Sequence, residues 1–394
     1  GIMSGEGVLM SQYWGKGDTA SINRILGIGY TIACSFTALF AVLVLIFPEA
    51  IMGVTSSNPA LVAVAVRYAR IVAPAFFLNS ITMVYVSAQR SAENPKFGLF
   101  VLSASCGANV FLNWVLIFGK LGFPAMGVEG AAIATLLSRV LEVCITFCHM
   151  LFIDKRLHLK LALILRPGKA HFKDFIKYAI PVVANETLWG LGTSVIPLIY
   201  GHMENSADVV AALSVANNVD QLANVLLFGV ANAAAVIIGN EIGEGKSREE
   251  TYRTGEWLLT ISTLVGVSVG SIIVLLSLLL GRSWFLPLFS LSENAIEIAL
   301  LMLITVGISM PFNDYISTLI VGVLRGGGAV TASLRLDVLP EYLYSIPLAY
   351  LLAIVLKVDI RIIFVVIRCE ILIKFIPGIC VFRKGKWIRD LTRR

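Results

Sequence analysis

The residue of this sequence with the clearest chemical potential is an aspartate in the middle of a long apolar stretch. Asp314 lies eleven residues before Arg325, which is about 16 Å along a helix that rises about 1.5 Å per residue. If Arg325 faces water at the membrane surface, Asp314 lies near the midplane of a hydrocarbon core about 30 Å thick. An acid at that depth costs about 2.5–3.5 kcal/mol, and Pro311 removes a backbone hydrogen bond one turn earlier. The position predicts a site for a cation or a proton, with pairing to a neighbouring helix as the structural alternative.

A second deep acid lies on another apolar stretch. Glu186 follows Lys177 by nine residues, which places it about 14 Å from the same membrane surface. Two carboxylates at similar depth repel each other, so they can share a proton or hold a small cation. We therefore predict Glu186 and Asp314 as the cation-coupling pair, with Na⁺ or H⁺ as the coupling ion and no metal ion beyond such a Na⁺.

Four further polar residues within apolar stretches are candidates for binding substrate or a second cation: Asn185, Asn217, Asp220 and Asp337. For the two aspartates a structural role is an equal alternative, either through hydrogen bonds between helices or, for Asp337, through an ion pair with Arg335. Glu370 and Lys374 are one turn apart, which predicts an internal ion pair.

The first half of the sequence carries a neutral polar set within its apolar stretches: Asn79, Ser80, Gln89, Asn109 and Asn113. Asn109 and Asn113 share one helical face, and we predict that they join neighbouring helices.

The composition identifies the class of protein. The chain has 394 residues, of which 57% are hydrophobic and 14% charged, and its mean hydropathy is +0.85. These values are typical of a polytopic helical membrane protein. The six cysteines all lie in apolar stretches, and we predict that they are small buried residues without disulfide bonds. No phosphate-binding glycine loop, zinc-binding helix motif or usable Ser/His/Asp arrangement occurs, so the sequence does not indicate an enzyme.

Ten apolar stretches are long enough to cross a bilayer, after a half-length stretch over 1–14. They cover 24–47, 61–89, 97–118, 128–152, 174–200, 208–238, 254–280, 295–324, 329–355 and 360–382.

The segments between these stretches alternate in Lys/Arg content. One set, near 15–24, 90–96, 152–177, 240–253, 325–335 and 383–394, holds 22 Lys/Arg, and the opposite set holds 4. By the positive-inside rule the basic set, including the C-terminus, is cytoplasmic. The net charge of +6 follows from these loops and does not indicate nucleic-acid binding. The basic tail beside Trp387 is interpreted as an ordinary interfacial anchor in preference to a site that recognises a specific lipid.

The two halves of the sequence resemble each other. The stretches 11–18 and 239–246 share their glycine spacing at an offset of 228, and Pro74 with Arg90 echoes Pro311 with Arg325 at offsets of 237 and 235. Halves with an even number of spans share one orientation, which predicts a parallel repeat with a cleft between the halves. The counterpart of the helix that starts near Lys173 would lie near position −55. We therefore expect a twelve-span protein of which the first helix and part of the second are missing here.

The predicted fold is an all-α polytopic membrane protein with two six-helix lobes related by a pseudo-twofold parallel repeat. We predict an N-lobe over 1–152 (part of the second helix to the sixth), a cytoplasmic linker over 153–173, a C-lobe over 174–382 (seventh to twelfth helix) and a basic cytoplasmic tail over 383–394.

Four stretches resemble the multidrug and toxic compound extrusion (MATE) family: 11–17 (SQYWGKG), 127–139 (GVEGAAIATLLSR), 181–190 (PVVANETLWG) and 323–326 (VLRG). Their order and spacing along essentially the whole chain make the resemblance specific. It implies a twelve-helix antiporter that exports organic, often cationic and amphipathic, compounds in exchange for Na⁺ or H⁺ by alternating access.

The resemblance also implies roles for individual residues. In the NorM-like branch of the family a glutamate on the seventh helix and an aspartate on the tenth form a cation site, and Glu186 and Asp314 match them. Met310 stands where that branch can place a tyrosine one turn before the aspartate, which leaves the choice between Na⁺ and H⁺ open.

Three functional classes follow from these observations. We expect a cation-coupled exporter of drugs or metabolites, a monomer in the cell membrane that acts on small-molecule substrates and needs no cofactor. The alternative is a flippase for lipid-linked saccharide precursors, which would be expected to line its cavity with arginines facing a pyrophosphate. A membrane subunit of a redox or enzymatic complex would predict paired histidines or a basic surface for a partner. The deep acids favour cationic cargo.

Overall fold

The computed structural model describes residues 1–53, 58–203 and 206–392, and these residues form helices without strands. The chain divides into two compact units, Ile2–Lys177 and Tyr178–Arg394, with Gly1 grouped with the second. Among the described residues, nine helices are long and apolar enough to cross a membrane. The predicted all-α polytopic class is confirmed.

The first unit consists of the predicted partial span and the four spans that follow it. Its helices are α1 (Ile2–Gly15), α2 (Thr19–Ile46), α3 (Pro48–Gly53), α4 (Pro59–Ser91), α5 (Pro95–Phe118), α6 (Gly127–Cys148, continued by a π-helical turn over His149–Ile153) and α7 (Leu161–Leu165). The helix α4 packs against both α2 and α6, and α5 packs against α6. The short α7 lies against α2, so the segment predicted as a linker, 153–173, belongs to this unit.

The second unit contains the longer helices. They are α8 (Lys169–Tyr200, which begins in the first unit), α9 (Ser206–Glu244), α10 (Arg248–Leu276), α11 (Glu293–Ser317), α12 (Val330–Pro340), α13 (Ile346–Tyr350), α14 (Ile360–Arg368) and α15 (Glu370–Arg383). The stretch predicted as one span over 360–382 is divided at Cys369 into α14 and α15.

Two of the four π-helical segments among the described residues of the second unit begin at the polar residues Thr318 and Glu341. One covers Thr318–Leu324 at the end of α11, and the other covers Glu341–Ser345 directly after α12. Such turns shift the side chains that follow them around the helix axis, and they occur frequently at functional sites.

The sequence repeat corresponds to a repeated local structure. Gly17 and Gly245 follow the ends of α1 and α9 with φ of +73° and +78°, a left-handed conformation that favours glycine. The next helix then starts with a side-chain cap in both places. Asp18 accepts a hydrogen bond from the backbone N–H of Ser21 at 3.0 Å, and Ser247 forms a capping box with Glu250.

Much of the helix surface is apolar and faces outward from the two units. Phe100 and Leu222, for example, are 63% and 74% exposed, and lipid is the solvent that such a surface requires. Five of the six cysteines also lie on exposed helix surface, namely Cys106, Cys144, Cys148, Cys369 and Cys380. The prediction that they are buried is wrong for these five, because lipid-facing and core-facing stretches of a membrane protein are equally apolar.

The C-terminal tail folds back onto the second unit. The indole of Trp387 is 1% exposed, stacks on Phe382 with 5.6 Å between ring centroids and donates to the Phe382 carbonyl at 3.0 Å. The Arg389 backbone N–H donates to the Gly327 carbonyl at 2.9 Å. The Trp387 ring is therefore enclosed by protein, and the interfacial role of the basic residues around it stays a prediction. A Cβ atom at Gly327 would lie 2.5 Å from this ring, which explains the glycine.

Candidate functional site

The second unit contains a partly open cavity of about 630 Å³, within the size range of small-molecule sites. Its wall is built from α8, α9, the end of α11, the π-helical turn after α12, and α14 with α15. The charged residues on the wall are Glu186, Asp220, Arg325, Asp337, Glu341, Arg368, Glu370 and Lys374. Five of these eight side chains are acidic and three are basic, so the fully ionised wall carries two net negative charges.

Glu186 is paired with Arg325 on the cavity wall. Arg325 donates a hydrogen bond to the Glu186 carboxylate, and the exposed fractions of the two side chains are 4% for Arg325 and 33% for Glu186. The guanidinium also reaches the hydroxyl of Ser333 at 3.3 Å. The assumption that Arg325 faces water is therefore wrong: its position after an apolar stretch is typical of a membrane boundary, but its side chain turns inward to the acid.

A chain of polar contacts continues from this pair. The amide of Asn185 fits its neighbours with its oxygen toward Arg325, at 2.9 Å, and its nitrogen toward Asp337, at 3.0 Å. Asp337 also accepts from the Lys374 ammonium at 3.1 Å, and the same ammonium lies 2.7 Å from Glu370. The predicted pair of Glu370 and Lys374 is confirmed. Pairing of Asp337 with Arg335, the structural alternative raised from the sequence, is not what the structure shows, because Lys374 binds Asp337.

Glu341 stands next to this chain of contacts and was not singled out by sequence reasoning. Its side chain is 4% exposed, and its Oε2 atom has no hydrogen-bond partner among the described residues. The carboxyl group lies directly against Gly192 of α8, where a Cβ atom would collide with it. The signal that could have revealed it is an acid directly after Pro340 within an apolar span.

Asp314 lies in a different environment from Glu186. It is 2% exposed and faces α10, where a Cβ atom at Gly266 would come within 2.9 Å of its Oδ2 atom. Its Oδ1 atom has no hydrogen-bond partner among the described residues. Its neighbours Asn313 and Ser317 line the cavity, whereas Asp314 is not one of the described residues that do. The structure thus gives the two predicted coupling acids different surroundings and does not pair them.

Asp220 and Asn217 of α9 both reach the cavity. Asp220 binds Arg368 of α14 at 3.0 Å, and Arg368 also donates to Ser309 of α11 at 3.0 Å. This cluster joins three helices, so Asp220 has the structural partner that was one of its two alternatives.

The first unit contains a deep acid that the sequence reasoning missed. Glu6 of α1 is fully buried, neither of its carboxylate oxygens has a hydrogen-bond partner among the described residues, and it lies against Gly29 of α2. The interpretation of the first-half polar set as neutral is wrong at this residue. The missed signal is that Glu6 precedes the basic Lys16 by ten residues, much as Glu186 follows Lys177 by nine. The side chain of Asn113 donates to Asn109 within α5. This hydrogen bond lies within one helix, whereas the two residues were predicted to join neighbouring helices.

These geometries define what the cavity can do. No group of three or more His, Cys, Asp or Glu side chains within 1–53, 58–203 and 206–392 is arranged to hold a metal ion. The wall instead offers carboxylates, two of them bound to arginines, beside aromatic and aliphatic side chains that include Trp189 and Phe228. Such a surface suits an amphipathic organic cation. A bundle of membrane-spanning helices with a cavity that has charged groups on its wall is typical of a membrane transporter.

The family is shown by sequence. The MatE family model matches residues 1–115 and 181–351, and the chain belongs to this family.

Individual relatives agree with this assignment. The chain is 27% identical over 361 residues to the probable multidrug resistance protein NorM of Thermotoga maritima, covering 90% of this chain and 73% of that protein. It is 24% identical to the uncharacterized transporter YisQ of Bacillus subtilis, and the alignment covers 98% of this chain and 83% of that protein. It is also 23% identical to the protein DETOXIFICATION 16 of Arabidopsis thaliana, and the alignment covers 80% of this chain and 63% of that protein.

Solved structures show the same fold. A multidrug resistance MATE family transporter of the MOP superfamily in an outward-facing conformation aligns with a TM-score of 0.86 at 18% identity, covering all of this chain and 84% of that one. A MOP superfamily transporter from Pyrococcus furiosus aligns equally well, with a TM-score of 0.86 and the same coverage.

Proposed function

We propose that this protein is a cation-coupled antiporter that exports organic drugs or metabolites, cationic or amphipathic, by alternating access. The observation that carries the proposal is the acidic excess on the cavity wall, where five carboxyl groups face three basic side chains. An organic cation that enters this cavity offsets the excess. The name of the relative from Thermotoga maritima, a probable multidrug resistance protein, supports the export of drugs.

The flippase alternative requires cationic side chains that are free to bind a pyrophosphate. The two arginines on the cavity wall already have acidic partners, since Arg325 binds Glu186 and Arg368 binds Asp220. Displacing either pair would leave a partly buried carboxylate without its counter-charge. The wall therefore supports cationic rather than anionic cargo.

The coupling ion is Na⁺ or H⁺ in this proposal, with Glu186 and Asp314 as the proposed coupling residues. Asp314 has the properties of a group that is neutral in one state and charged in another, since it is buried and one of its oxygens lacks a partner. Glu186 is exposed to the cavity but is bound to Arg325, so an arriving cation has to compete with that guanidinium.

The protein acts as a monomer in the cell membrane with its C-terminus in the cytoplasm, and it needs no cofactor. The apolar, outward-facing helix surface supports a multi-pass position in lipid, and the 22-to-4 division of Lys/Arg among the connecting segments supports the orientation.

Dye efflux tests the proposal directly. Cells that express the protein are loaded with a fluorescent organic cation, and efflux is followed while the Na⁺ and H⁺ gradients are collapsed separately. Efflux that stops with one of the two gradients supports a coupled antiporter and identifies the ion. Efflux that is insensitive to both gradients, or no difference from cells without the protein, would contradict it.

A further inference from the structure

We propose that Glu341 is a proton-binding site of the cavity: it holds a proton while the cavity is empty and releases that proton when an organic cation enters. The inference deepens the proposed function and rests on it for the exchange step. The protonation of Glu341 itself can be tested independently of transport.

The position of Glu341 is fixed by three local features. Glu341 is the first residue of the π-helical turn Glu341–Ser345, which begins directly after Pro340. The regular α-helical spacing of α12 therefore ends at this residue. Gly192 on α8 provides the space that the carboxyl group occupies. The phenol of Tyr342, the next residue, donates to the Leu188 carbonyl of α8 at 2.8 Å and holds the turn against that helix. Glu341 is consequently buried yet reaches the cavity wall.

The charges that act on Glu341 come from α12 and α15. They are Asp337, Glu370 and Lys374. Glu186 of α8 also lies on the cavity wall, but it is neutralised by its ion pair with Arg325. Three carboxyl groups therefore share one ammonium. With all of them ionised this cluster carries two net negative charges, and desolvation and mutual repulsion both oppose that state.

The hydrogen bonds identify which of the three carboxyl groups holds the proton. Asp337 accepts from Lys374 at 3.1 Å and from the Asn185 amide at 3.0 Å. Glu370 accepts from Lys374 at 2.7 Å and from the hydroxyl of Ser345. Both ionised forms are thus stabilised by donors, whereas the Oε2 atom of Glu341 has none among the described residues. The proton belongs on Glu341.

The exchange step follows from this assignment. An organic cation that reaches the wall is attracted by the acidic cluster, and its charge replaces that of the proton. The O–H bond of the Glu341 carboxyl group breaks, the proton leaves with water, and the carboxylate pairs with the cation. The charge of the site is unchanged by the exchange, which is the requirement for one proton to be traded for one monovalent cation.

Proton release on cation binding is the first test. Tetraphenylphosphonium, whose charge is permanent, is added to the purified protein in weakly buffered detergent solution with a pH indicator. The wild-type protein should release about one proton per bound cation. The Glu341→Gln variant should bind the cation without releasing a proton. The control is Glu293→Gln, an exposed acid outside the cavity (its side chain is 82% exposed), which should behave like the wild type. Release from Glu341→Gln equal to that of the wild type would overturn the proposal.

Infrared difference spectroscopy is the second test, and it needs no cargo. At neutral pH the wild-type spectrum should contain the carbonyl stretch of a protonated carboxyl group that Glu341→Gln lacks and Glu293→Gln keeps. If Glu341→Gln fails to fold, Glu341→Asp replaces it, because the shorter acid withdraws from Gly192 and should shift the band. A spectrum in which neither change at position 341 alters the band overturns the protonation of Glu341. If the band is lost but tetraphenylphosphonium does not bind the wild type, the cargo class in the proposed function is wrong and the proton site stands.

Discussion

Arg325 and Glu186 are separated by 139 residues in the chain and form an ion pair on the wall of the cavity. Arg325 follows the helical segment that contains Asp314, and Glu186 lies near the middle of α8. The ion pair therefore connects the helical segment that carries Asp314 with the side chain of Glu186, the other predicted coupling acid. A cation that binds Glu186 competes with Arg325 and so acts on the end of the helix that carries Asp314.

The first prediction concerns the energetic coupling in this pair. Glu186→Gln and Arg325→Gln should each lower the thermal midpoint of the purified protein, because each leaves a charged partner in a largely buried place. The double variant should lose less than the sum of the two, with a coupling of about 0.5–3 kcal/mol. Thermal unfolding in detergent measures the cycle.

A matched control for this cycle is the exposed pair of Arg282 and Glu293, which are 3.4 Å apart with 66% and 82% of their side chains exposed. The same two amide changes there should show coupling near zero. Strict additivity at positions 186 and 325 would mean that their contact does not stabilise the fold.

The second prediction separates charge from packing at Asp314. Asp314→Asn should abolish ion-dependent efflux. It should leave the thermal midpoint unchanged or higher, because the amide replaces a buried carboxylate whose Oδ1 atom has no hydrogen-bond partner among the described residues. The matched change is Ser262→Ala. It removes the hydroxyl that donates to the Asp314 backbone carbonyl at 2.8 Å but keeps the carboxylate, so efflux should continue. Efflux by Asp314→Asn at the wild-type rate, with an unchanged ion requirement, would assign this acid a structural role only.

The spans could be predicted from sequence because lipid imposes the same apolar pattern on every crossing segment. The helix predicted over 61–89 extends over Pro59–Ser91, and the one predicted over 97–118 over Pro95–Phe118. The turn after α1 was predictable as well, because Gly17 and Gly245 mark equivalent positions in the repeat.

The pairing inside the second unit could not be predicted in the same way. A basic residue at the end of an apolar stretch has the same local sequence whether it faces water or turns inward, and for Arg325 only the position of Glu186 decides between the two. Asp337 illustrates the same limit: its sequence neighbour is Arg335, but its partner is Lys374, 37 residues away. The sequence around Glu341 shows an acid in an apolar span, but it does not show that the Oε2 atom lacks a hydrogen-bond partner, because that depends on the fold.

The third prediction concerns the docked tail. Gly327→Val should place a side chain where the Trp387 ring lies, since even a Cβ atom would be 2.5 Å from it. The tail should then leave its site, and trypsin should cleave after Lys386 and Arg389 about tenfold faster, which corresponds to about 1.4 kcal/mol of lost docking energy. Mass spectrometry of a digestion time course provides the measurement.

The comparison for the tail is Gly229→Val on α9, where a Cβ atom meets no heavy atom within 4 Å. This variant should be cleaved at the wild-type rate. Equal cleavage of Gly327→Val and Gly229→Val would show that the tail does not depend on the contact between Gly327 and Trp387.

The fourth prediction concerns orientation in the membrane. Because the basic connecting segments are expected on the cytoplasmic side, cysteines introduced at Lys169 and Arg389 should resist a membrane-impermeant thiol reagent applied to intact cells. A cysteine at Lys120, in the opposite set of segments, should react. The six native cysteines are first replaced by serine, because five of them are exposed on helix surfaces. A permeant reagent must label all three positions, which shows that each site is accessible, and reaction of position 169 or 389 from outside would reverse the proposed topology.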